Sequence, residues 1–332
     1  MTDTIARIKY RPATELVYVD NSDGKGPKDN YNAASMPIYQ TATFKQSSST
    51  QMGEYDYSRS GNPTRSHVEN HLAKIMSAKR AFAVNSGMTA LDVITRLVKA
   101  GEEVIAGNDL YGGTNRLLSF LATHNNVKTH HIDTTDSETI IPYLSEKTRL
   151  VLLETPTNPL MKIADIPRIS EIVHERCPNA LVIVDNTMMS PYLQKPLELG
   201  ADIVYHSGTK YLSGHHDLMA GVVAVKDDSI AEKIHFTTNT TGGVKTLALR
   251  MDRPRANAIQ ITDFLQSHKF KYELHAKMSH GPGAVLSFET GNVKLSEKLV
   301  ELTCLWVISV SFGCVNSLIS MPCRMSHASI PA

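Results

Sequence analysis

A lysine and two hydroxyl side chains lie close together in the segment "YHSGTKYLSGHHD". Lys210 follows Ser207 and Thr209, and the apolar segment "ADIVYH" ends just before them. An ordinary lysine has a pKa of about 10.4 and is a poor nucleophile, but burial lowers that pKa and lets the amine form a Schiff base with an aldehyde. Most lysines are surface residues. The apolar strand before Lys210 and its small neighbours favour a buried, reactive amine.

Two segments carry groups that suit a phosphate. Ser207 and Thr209 flank Gly208, and the segment "NSGMTA" predicts a helix that begins at Gly87. The first N–H groups of a helix and its positive dipole end attract anions. Each segment by itself is a weak signal. A lysine that reacts with aldehydes beside groups that bind phosphate predicts pyridoxal phosphate as the cofactor.

Two further side chains fit this interpretation. Asp185 ends the apolar run "ALVIVD", where a carboxylate is unfavourable unless it is paired. A pyridinium N–H is such a partner and keeps the ring able to accept electrons; the alternative role is a helix cap for the following "NTMMSP". Tyr111 in "DLYGGT" can stack on the ring face, or it is an ordinary packed tyrosine.

These residues lie on a predicted α/β framework. Six apolar runs alternate with helical patterns at about 64–78, 87–100, 112–125 and 165–177; the runs are "AFAV", "EEVIAG", "RLVLLE", "ALVIVD", "ADIVYH" and "AGVVAV". This alternation predicts a mostly parallel sheet, which binds ligands at the carboxyl ends of its strands. We expect an N-terminal arm over 1–50, a cofactor-binding domain over 51–240 and a smaller α/β domain over 241–332.

The composition excludes several classes of protein. The 332 residues are 42% hydrophobic and 20% charged, with a net charge of +1, which does not favour nucleic acid or a charged membrane surface as a partner. No apolar run is long enough to span a membrane, and the first residues lack the apolar core of a secretory signal. The four cysteines form no CxxC pair and the 14 histidines no metal-binding pattern, so we expect reduced thiols, no metal and a cytoplasmic location.

Several segments together resemble the Cys/Met-metabolism family of pyridoxal-phosphate enzymes, in the order and spacing of that family. The resemblance spans roughly residues 35–234 continuously and 242–331 in pieces. It rests on "YDYSRSGNPT", "NSGMTA", "NDLYGGT", "ETPTNP", "VDNT", "HSGTKYLSGH" and "SVSFGCVNSLISMPC". It implies the fold-type I architecture of pyridoxal-phosphate transferases.

The resemblance also implies roles for the residues around the ring. Lys210 would hold the cofactor covalently and later move the substrate α-proton. Asp185 would pair with the pyridine nitrogen, Tyr111 would stack on the ring and act in catalysis, and Asn158 in "ETPTNP" would lie beside the cofactor or substrate.

For the phosphate, the resemblance implies two sources of contact. Ser207, Thr209 and the backbone at Gly87 and Met88 would bind it within one subunit. Tyr57 and Arg59 in "YDYSRSGNPT" would reach the site of a neighbouring subunit, where Tyr57 would also act in catalysis. Without the resemblance, a solvated arginine is the alternative for Arg59. Such sharing requires at least a homodimer, and the family implies a dimer of dimers.

Within the family, "SLISMPCRMSHASIP" is most similar to the fungal and plant enzymes that cleave the small amino acid L-cystathionine by β-elimination. The resemblance therefore implies a carbon–sulfur β-lyase of methionine biosynthesis. Relatives with γ-chemistry often carry a glutamate just before the serine of "SVSFG"; here that residue is Val310. A sibling γ-lyase or γ-synthase is the alternative.

Some family features are missing from the sequence. Two connections, before "GGVKTLALR" and before "GPGAVLSF", are shorter than in the family. No residue corresponds to the arginine that binds the substrate carboxylate in a later strand, and Arg324 lies in a different motif. A second expectation is therefore a truncated homologue that binds the cofactor with little or no turnover.

Overall fold

The computed structural model describes residues 12–16, 31, 33, 35–46, 50, 53–244, 287, 290–302, 307–308 and 318–319. A seven-stranded sheet lies at the centre of residues 53–244, with the strand order β1-β7-β6-β5-β4-β2-β3. The strands are β1 (Arg80–Val84), β2 (Glu103–Gly107), β3 (Lys128–Ile132), β4 (Thr148–Glu154), β5 (Leu181–Asp185), β6 (Ile203–Ser207) and β7 (Gly221–Val225).

Six of these strands run in the same direction, as predicted, and β7 runs antiparallel to both of its neighbours. Parallel neighbours need a long crossover connection, usually a helix. The connection from β6 to β7, residues 208–220, contains no helix. The chain therefore turns back beside β6, and the turn that carries Lys210 lies between two antiparallel strands.

All six predicted strands are present, whereas β3 was missed. Its sequence, "KTHHI", is polar, and four of its five side chains keep part of their surface in water. The strand is the last one in the sheet and pairs only with β2. An edge strand needs no continuous apolar run, which explains why the pattern did not predict it.

Helices cover both faces of the sheet. The helices are α1 (Pro12–Glu15), α2 (Pro63–Ile75), α3 (Gly87–Thr95), α4 (Gly112–His124), α5 (Ile166–Arg176), α6 (Ser190–Leu193), α7 (Asp228–Thr241) and α8 (Val293–Leu302). Helices α3, α4 and α7 pack on one face with side chains such as Leu152 and Ile203. On the other face, α5 packs against Val151 and Val184, and α2 packs against Val204. Alternate residues of each strand thus enter different cores.

Short polar side chains cap the N-termini of the helices near the site. The Asn62 side chain accepts from the N–H groups at the start of α2, and the Ser86 side chain accepts from Thr89 at the start of α3. Helix α3 ends five residues before the predicted 87–100 because Leu97 and Val98 donate to carbonyls three residues back, and Gly101 then takes a positive φ of 88°.

Part of the C-terminal predictions can be compared with the structure. The helix expected at "LSEKLVELTC" overlaps α8, and the strand expected in "WVISVSFG" contains β8 (Val307–Ile308), which pairs in parallel with β9 (Leu318–Ile319). The helix expected at 244–266 and the strand expected at 281–290 lie outside the described residues except for Val244, Ser287 and Thr290. The division into an arm and two domains stays a prediction. No described helix is both long and apolar enough to cross a bilayer.

Candidate active site

A row of three polar side chains crosses the sheet where β4, β5 and β6 approach their carboxyl ends. Glu154 lies opposite Asp185, and Asp185 lies opposite Tyr205. Residues opposite each other on parallel strands point to the same face, and Tyr205 belongs to the core beneath α3 and α4. The two carboxyls therefore stand on that same face, above which the N-termini of α3 and α4 lie.

Asp185 is held by neutral donors. The backbone N–H of Thr187 donates to its Oδ1 over 2.9 Å, the Thr187 hydroxyl donates to the same oxygen, and Tyr205 is a further side-chain partner. Burial raises the pKa of Asp185, and these hydrogen bonds partly offset that rise. A buried carboxyl with neutral donors is well placed to bind a cationic N–H group, which would favour its ionised form.

Thr187 also connects Asp185 to the lysine segment. Its hydroxyl oxygen accepts from the backbone N–H of Ser207 over 2.8 Å. One side chain thus fixes the end of β6 relative to the Asp185 carboxyl. Sequence reasoning did not single out Thr187, and its position two residues after a strand-ending aspartate, typical of a local turn of this kind, was the signal available.

Lys210 lies in a tight turn after β6. Its N–H donates to the Ser207 carbonyl over 3.1 Å, and its carbonyl accepts from Gly214 over 2.8 Å. The side chain is half-buried, and burial lowers the pKa of the amine. This shift favours the neutral, nucleophilic form that the sequence predicted.

Thr209 has a structural contact in this turn. Its hydroxyl donates to the Ala220 carbonyl over 3.3 Å and accepts from the Ala220 N–H over 3.0 Å. Thr209 thereby joins the Lys210 turn to the residue just before β7. Its predicted contact with phosphate remains a prediction.

The start of α3 lies directly against Ser207. A Cβ atom added to Gly87 would be 2.9 Å from the Ser207 Cβ and 3.0 Å from its Cα, a separation that real side chains do not tolerate. Only glycine allows this approach. Ser86 accepts from Thr89, and Ala90 donates to the Ser86 carbonyl. Since the first N–H groups of a helix have no intrahelical acceptor, those of Gly87 and Met88 are available to an anion beside the Ser207 hydroxyl.

The ring of Tyr111 closes one side of the site. Tyr111 immediately precedes α4, and its ring packs over Gly113, where an added Cβ would be 2.4 Å from the Tyr111 Cε1 and 2.9 Å from the Met88 sulfur. The tyrosine ring and the start of α3 are therefore adjacent, as a stacking role beside the phosphate groups requires.

Asn158 approaches the same row through its backbone. Its N–H donates to the Glu154 carboxyl, which also accepts the Tyr111 N–H over 2.9 Å. Glu154 was not predicted as a site residue, although "RLVLLE" ends in a charged residue just as "ALVIVD" does. The same burial argument that identified Asp185 would have identified Glu154.

Tyr57 and Arg59 lie on an exposed segment. The Arg59 Nε donates to the Asn239 side chain near the end of α7 over 3.2 Å, and its guanidinium lies 5.1 Å from the centre of the Tyr57 ring. Tyr57 is 40% exposed. No contact between either residue and the row of Glu154, Asp185 and Tyr205 occurs among those described.

The residues present fit pyridoxal phosphate. The space between Gly87 and Ser207, which a Cβ atom at position 87 would fill, is a cradle that suits the phosphate. The buried carboxyl of Asp185 suits the ring nitrogen, and the half-buried amine of Lys210 suits the aldehyde. A model of the family described as "Cys/Met metabolism PLP-dependent enzyme" matches residues 13–332. The chain belongs to this family. As a Cys/Met-metabolism enzyme it uses pyridoxal phosphate as its cofactor.

Individual relatives of this family are similar over nearly the whole chain. The cystathionine beta-lyase of Neurospora crassa is 60% identical, with 98% of this chain and 75% of the relative covered. The enzyme of the same name from Schizosaccharomyces pombe is 48% identical over 97% of this chain and 88% of its own length. Among solved structures, cystathionine gamma synthase from Xanthomonas oryzae pv. oryzae in complex with cystathionine matches with a TM-score of 0.88 and 31% identity, over 98% of this chain and 89% of that one.

Proposed function

We propose that this chain is a carbon–sulfur β-lyase that cleaves L-cystathionine to homocysteine, pyruvate and ammonia. The observation that carries the choice of reaction is the 60% identity with a cystathionine beta-lyase across 98% of the chain. The solved structure named cystathionine gamma synthase shares 31% identity. The geometry of the site supports the chemistry that such a reaction needs.

When bound, pyridoxal phosphate supplies an aldehyde that condenses with the substrate amine and a ring that accepts electrons from the α-carbon. Lys210 would hold the cofactor until substrate arrives and then take the α-proton, a role that the lowering of its pKa by burial favours. The resulting ammonium can return that proton to the sulfur that leaves the β-carbon. One residue thereby balances the proton removed and the proton added.

The other residues bind and orient. Asp185 would stabilise a positive charge on the ring nitrogen, and the donors from Thr187 and Tyr205 fix its carboxyl in place. Tyr111 would stack on the ring, and Asn158 would lie beside the cofactor or substrate. Ser207, Thr209 and the N–H groups of α3 would bind the phosphate.

We also propose that the active form is a homo-oligomer, a dimer of dimers, in the cytoplasm. The support for shared sites is that Arg59 and Tyr57 project from an exposed segment while the phosphate cradle lies at the start of α3. In this arrangement both residues would complete the cradle of a neighbouring subunit. The location rests on the cysteines: Cys177 is a free thiol, and the other three lie outside the described residues.

Product analysis tests the reaction. Purified chain loaded with pyridoxal phosphate is incubated with L-cystathionine, and the keto acid and thiol are identified by mass spectrometry. We expect pyruvate and homocysteine, in keeping with the apolar Val310, a residue outside the described ranges, where γ-enzymes often carry glutamate. Mainly 2-oxobutyrate and cysteine would assign γ-cleavage instead. A folded, cofactor-loaded chain that releases neither keto acid would contradict the proposal and favour a homologue that binds the cofactor with little or no turnover.

A further inference from the structure

Glu154 is a second buried carboxyl beside Asp185. The two residues are direct neighbours on the parallel strands β4 and β5, whose backbones lie about 4.8 Å apart. Burial raises the pKa of Glu154 well above its ordinary value, and the nearby Asp185 and Asp109 carboxyls add to that rise. The mechanism above assigns Glu154 no step, although it lies in the row that faces the cofactor.

The hydrogen bonds of Glu154 join three separate segments. From the end of β4, its Oε2 accepts the Tyr111 N–H over 2.9 Å, and its carboxyl also accepts the Asn158 N–H. Tyr111 belongs to the loop after β2, and Asn158 belongs to the loop after β4. Glu154 therefore holds in place the two loops that carry the predicted stacking tyrosine and the predicted cofactor-side asparagine.

A neighbouring carboxyl also cross-links these two loops. Asp109, two residues before Tyr111, accepts the Leu160 N–H over 3.1 Å and the Thr157 hydroxyl. Asp109 and Glu154 thus connect the same pair of loops at two points. Only Glu154 does so from the row that contains Asp185.

Hydrogen bonding of this kind does not require a negative charge. Two buried carboxylates on adjacent strands repel each other, so a shared site favours one ionised and one neutral carboxyl. A neutral carboxyl keeps an oxygen that accepts N–H groups. The Asp185 carboxyl would carry the charge that faces the ring nitrogen, while Glu154 accepts the two backbone N–H groups.

We propose that Glu154 is a positioning residue, which holds Tyr111 and Asn158 around the cofactor through hydrogen bonds that need its oxygen and its length but not its charge. This inference rests on the proposed function for the roles of Tyr111 and Asn158 beside the cofactor. Glutamine keeps the length of Glu154 and one acceptor oxygen for the Tyr111 N–H, so it should replace Glu154 better than shorter side chains do, whatever their charge.

The test compares four variants of the full-length chain: Glu154→Gln, Glu154→Asp, Glu154→Ala and Asp185→Asn. Cofactor dissociation constants are measured by fluorescence titration with pyridoxal phosphate, and the absorption spectrum of the bound cofactor is recorded from pH 6 to 9. Glu175→Ala, at an exposed glutamate on α5, is the control for the loss of a carboxylate. The melting temperature of each cofactor-free variant reports on folding separately.

The expected order follows from the contacts. Glu154→Gln keeps an acceptor for the Tyr111 N–H and binds the cofactor more tightly than Glu154→Ala, with an unchanged spectrum. Glu154→Ala loses two hydrogen bonds, each worth about 0.5–1.5 kcal/mol, and binds about 5- to 150-fold more weakly than wild type. Glu154→Asp keeps the charge but is too short to reach both N–H groups, so it binds more weakly than Glu154→Gln. Asp185→Asn alters the pH profile of the spectrum, which Glu154→Gln leaves unchanged.

Two results would overturn the inference. One is binding by Glu154→Gln as weak as that of Glu154→Ala, because charge would then be required. The other is wild-type affinity and spectrum in Glu154→Ala. If Glu154→Ala does not fold, the order of Glu154→Gln and Glu154→Asp decides, and tighter binding by the aspartate variant contradicts the inference. Wild-type chain that binds no cofactor would instead overturn the proposed function, and this inference with it.

Discussion

Two regions that the sequence assigns to the same cofactor differ in how completely this chain builds them. At the ends of β5 and β6, Asp185 is hydrogen-bonded to Thr187 and Tyr205, and Thr187 is also hydrogen-bonded to Ser207. At the end of β4, Glu154 accepts the Tyr111 N–H. The segment with Tyr57 and Arg59 instead lies exposed and contacts Asn239 near the end of α7. The first region is organised by the sheet of a single subunit, and the second has the properties expected of a surface that serves a neighbour.

The difference shows what each kind of position requires. Groups at the ends of adjacent strands are brought together by register alone, so a monomer presents them correctly. In the proposed homo-oligomer, Tyr57 and Arg59 on their exposed loop would gain their function only when a second subunit supplies the rest of the site. Variants in the two regions should therefore behave differently when they are mixed.

The largest effect is expected at Lys210. Removal of a general acid–base group slows a reaction by about 10²–10⁴-fold, and Lys210→Ala also loses the amine that binds the cofactor. We expect its β-lyase activity to fall by at least this factor in steady-state assays of pyruvate release. Lys233→Ala on the exposed side of α7 is the matched control and should retain full activity. Equal activity of both variants would remove Lys210 from the mechanism.

Asp185→Asn is expected to have the next largest effect. Loss of one member of a buried charge pair costs about 2–5 kcal/mol, which corresponds to about 30- to 4,000-fold in kcat/KM. Asp228→Asn, at an exposed aspartate paired with Lys79, is the control and should change kcat/KM less than twofold. A kcat/KM for Asp185→Asn within threefold of wild type would show that no cation is bound at this carboxyl.

Arg59→Ala should sharpen the contrast between the regions. We expect cofactor affinity about 10- to 150-fold lower, because one charge-assisted contact to phosphate is worth roughly 1.5–3 kcal/mol. The melting temperature of the cofactor-free protein should not change. An equal mixture of Arg59→Ala and Lys210→Ala subunits, after exchange, should regain activity because some mixed sites contain neither change. Proven subunit exchange without any recovery would mean that Arg59 and Lys210 of the same subunit act in one site.

The smallest effect concerns stability. His206 in β6 is 1% exposed, and burial lowers its pKa from 6.5 to about 3. The unfolded chain therefore binds a proton below pH 6.5 that the folded chain does not bind, so this histidine destabilises the fold as pH falls from 6.5 towards 3. At pH 5 the loss is about 2 kcal/mol relative to pH 8. The free energy of unfolding in urea is measured at pH 5 and pH 8 for wild type and His206→Asn. Its decrease from pH 8 to pH 5 should be about 2 kcal/mol smaller in His206→Asn than in wild type. An equal decrease in both proteins would contradict a neutral buried His206.

The sequence predicted most of the sheet and the side chains at its strand ends, because both follow from local patterns. Apolar runs identified six strands, and the polar residue after each run identified Asp185 and the Lys210 turn. Glu154 and Thr187 had local signals that were not used, a charged strand end and a turn after an aspartate, but the N–H groups that they bind could not be predicted because these depend on the register between strands and on the loops that follow them. Likewise, no local pattern shows that Gly87 lies against Ser207, since these residues are 120 positions apart in the chain but adjacent in the fold.

The central claim is that Lys210, in the turn after β6, is the amine that binds pyridoxal phosphate. Borohydride reduction of the cofactor-loaded chain, followed by proteolysis and mass spectrometry of the peptides, tests this claim most directly. We predict that the reduced cofactor is found on the peptide that contains Lys210 and that Lys210→Ala incorporates none. Recovery of the cofactor on another lysine, or equal labelling in Lys210→Ala, would contradict the assignment.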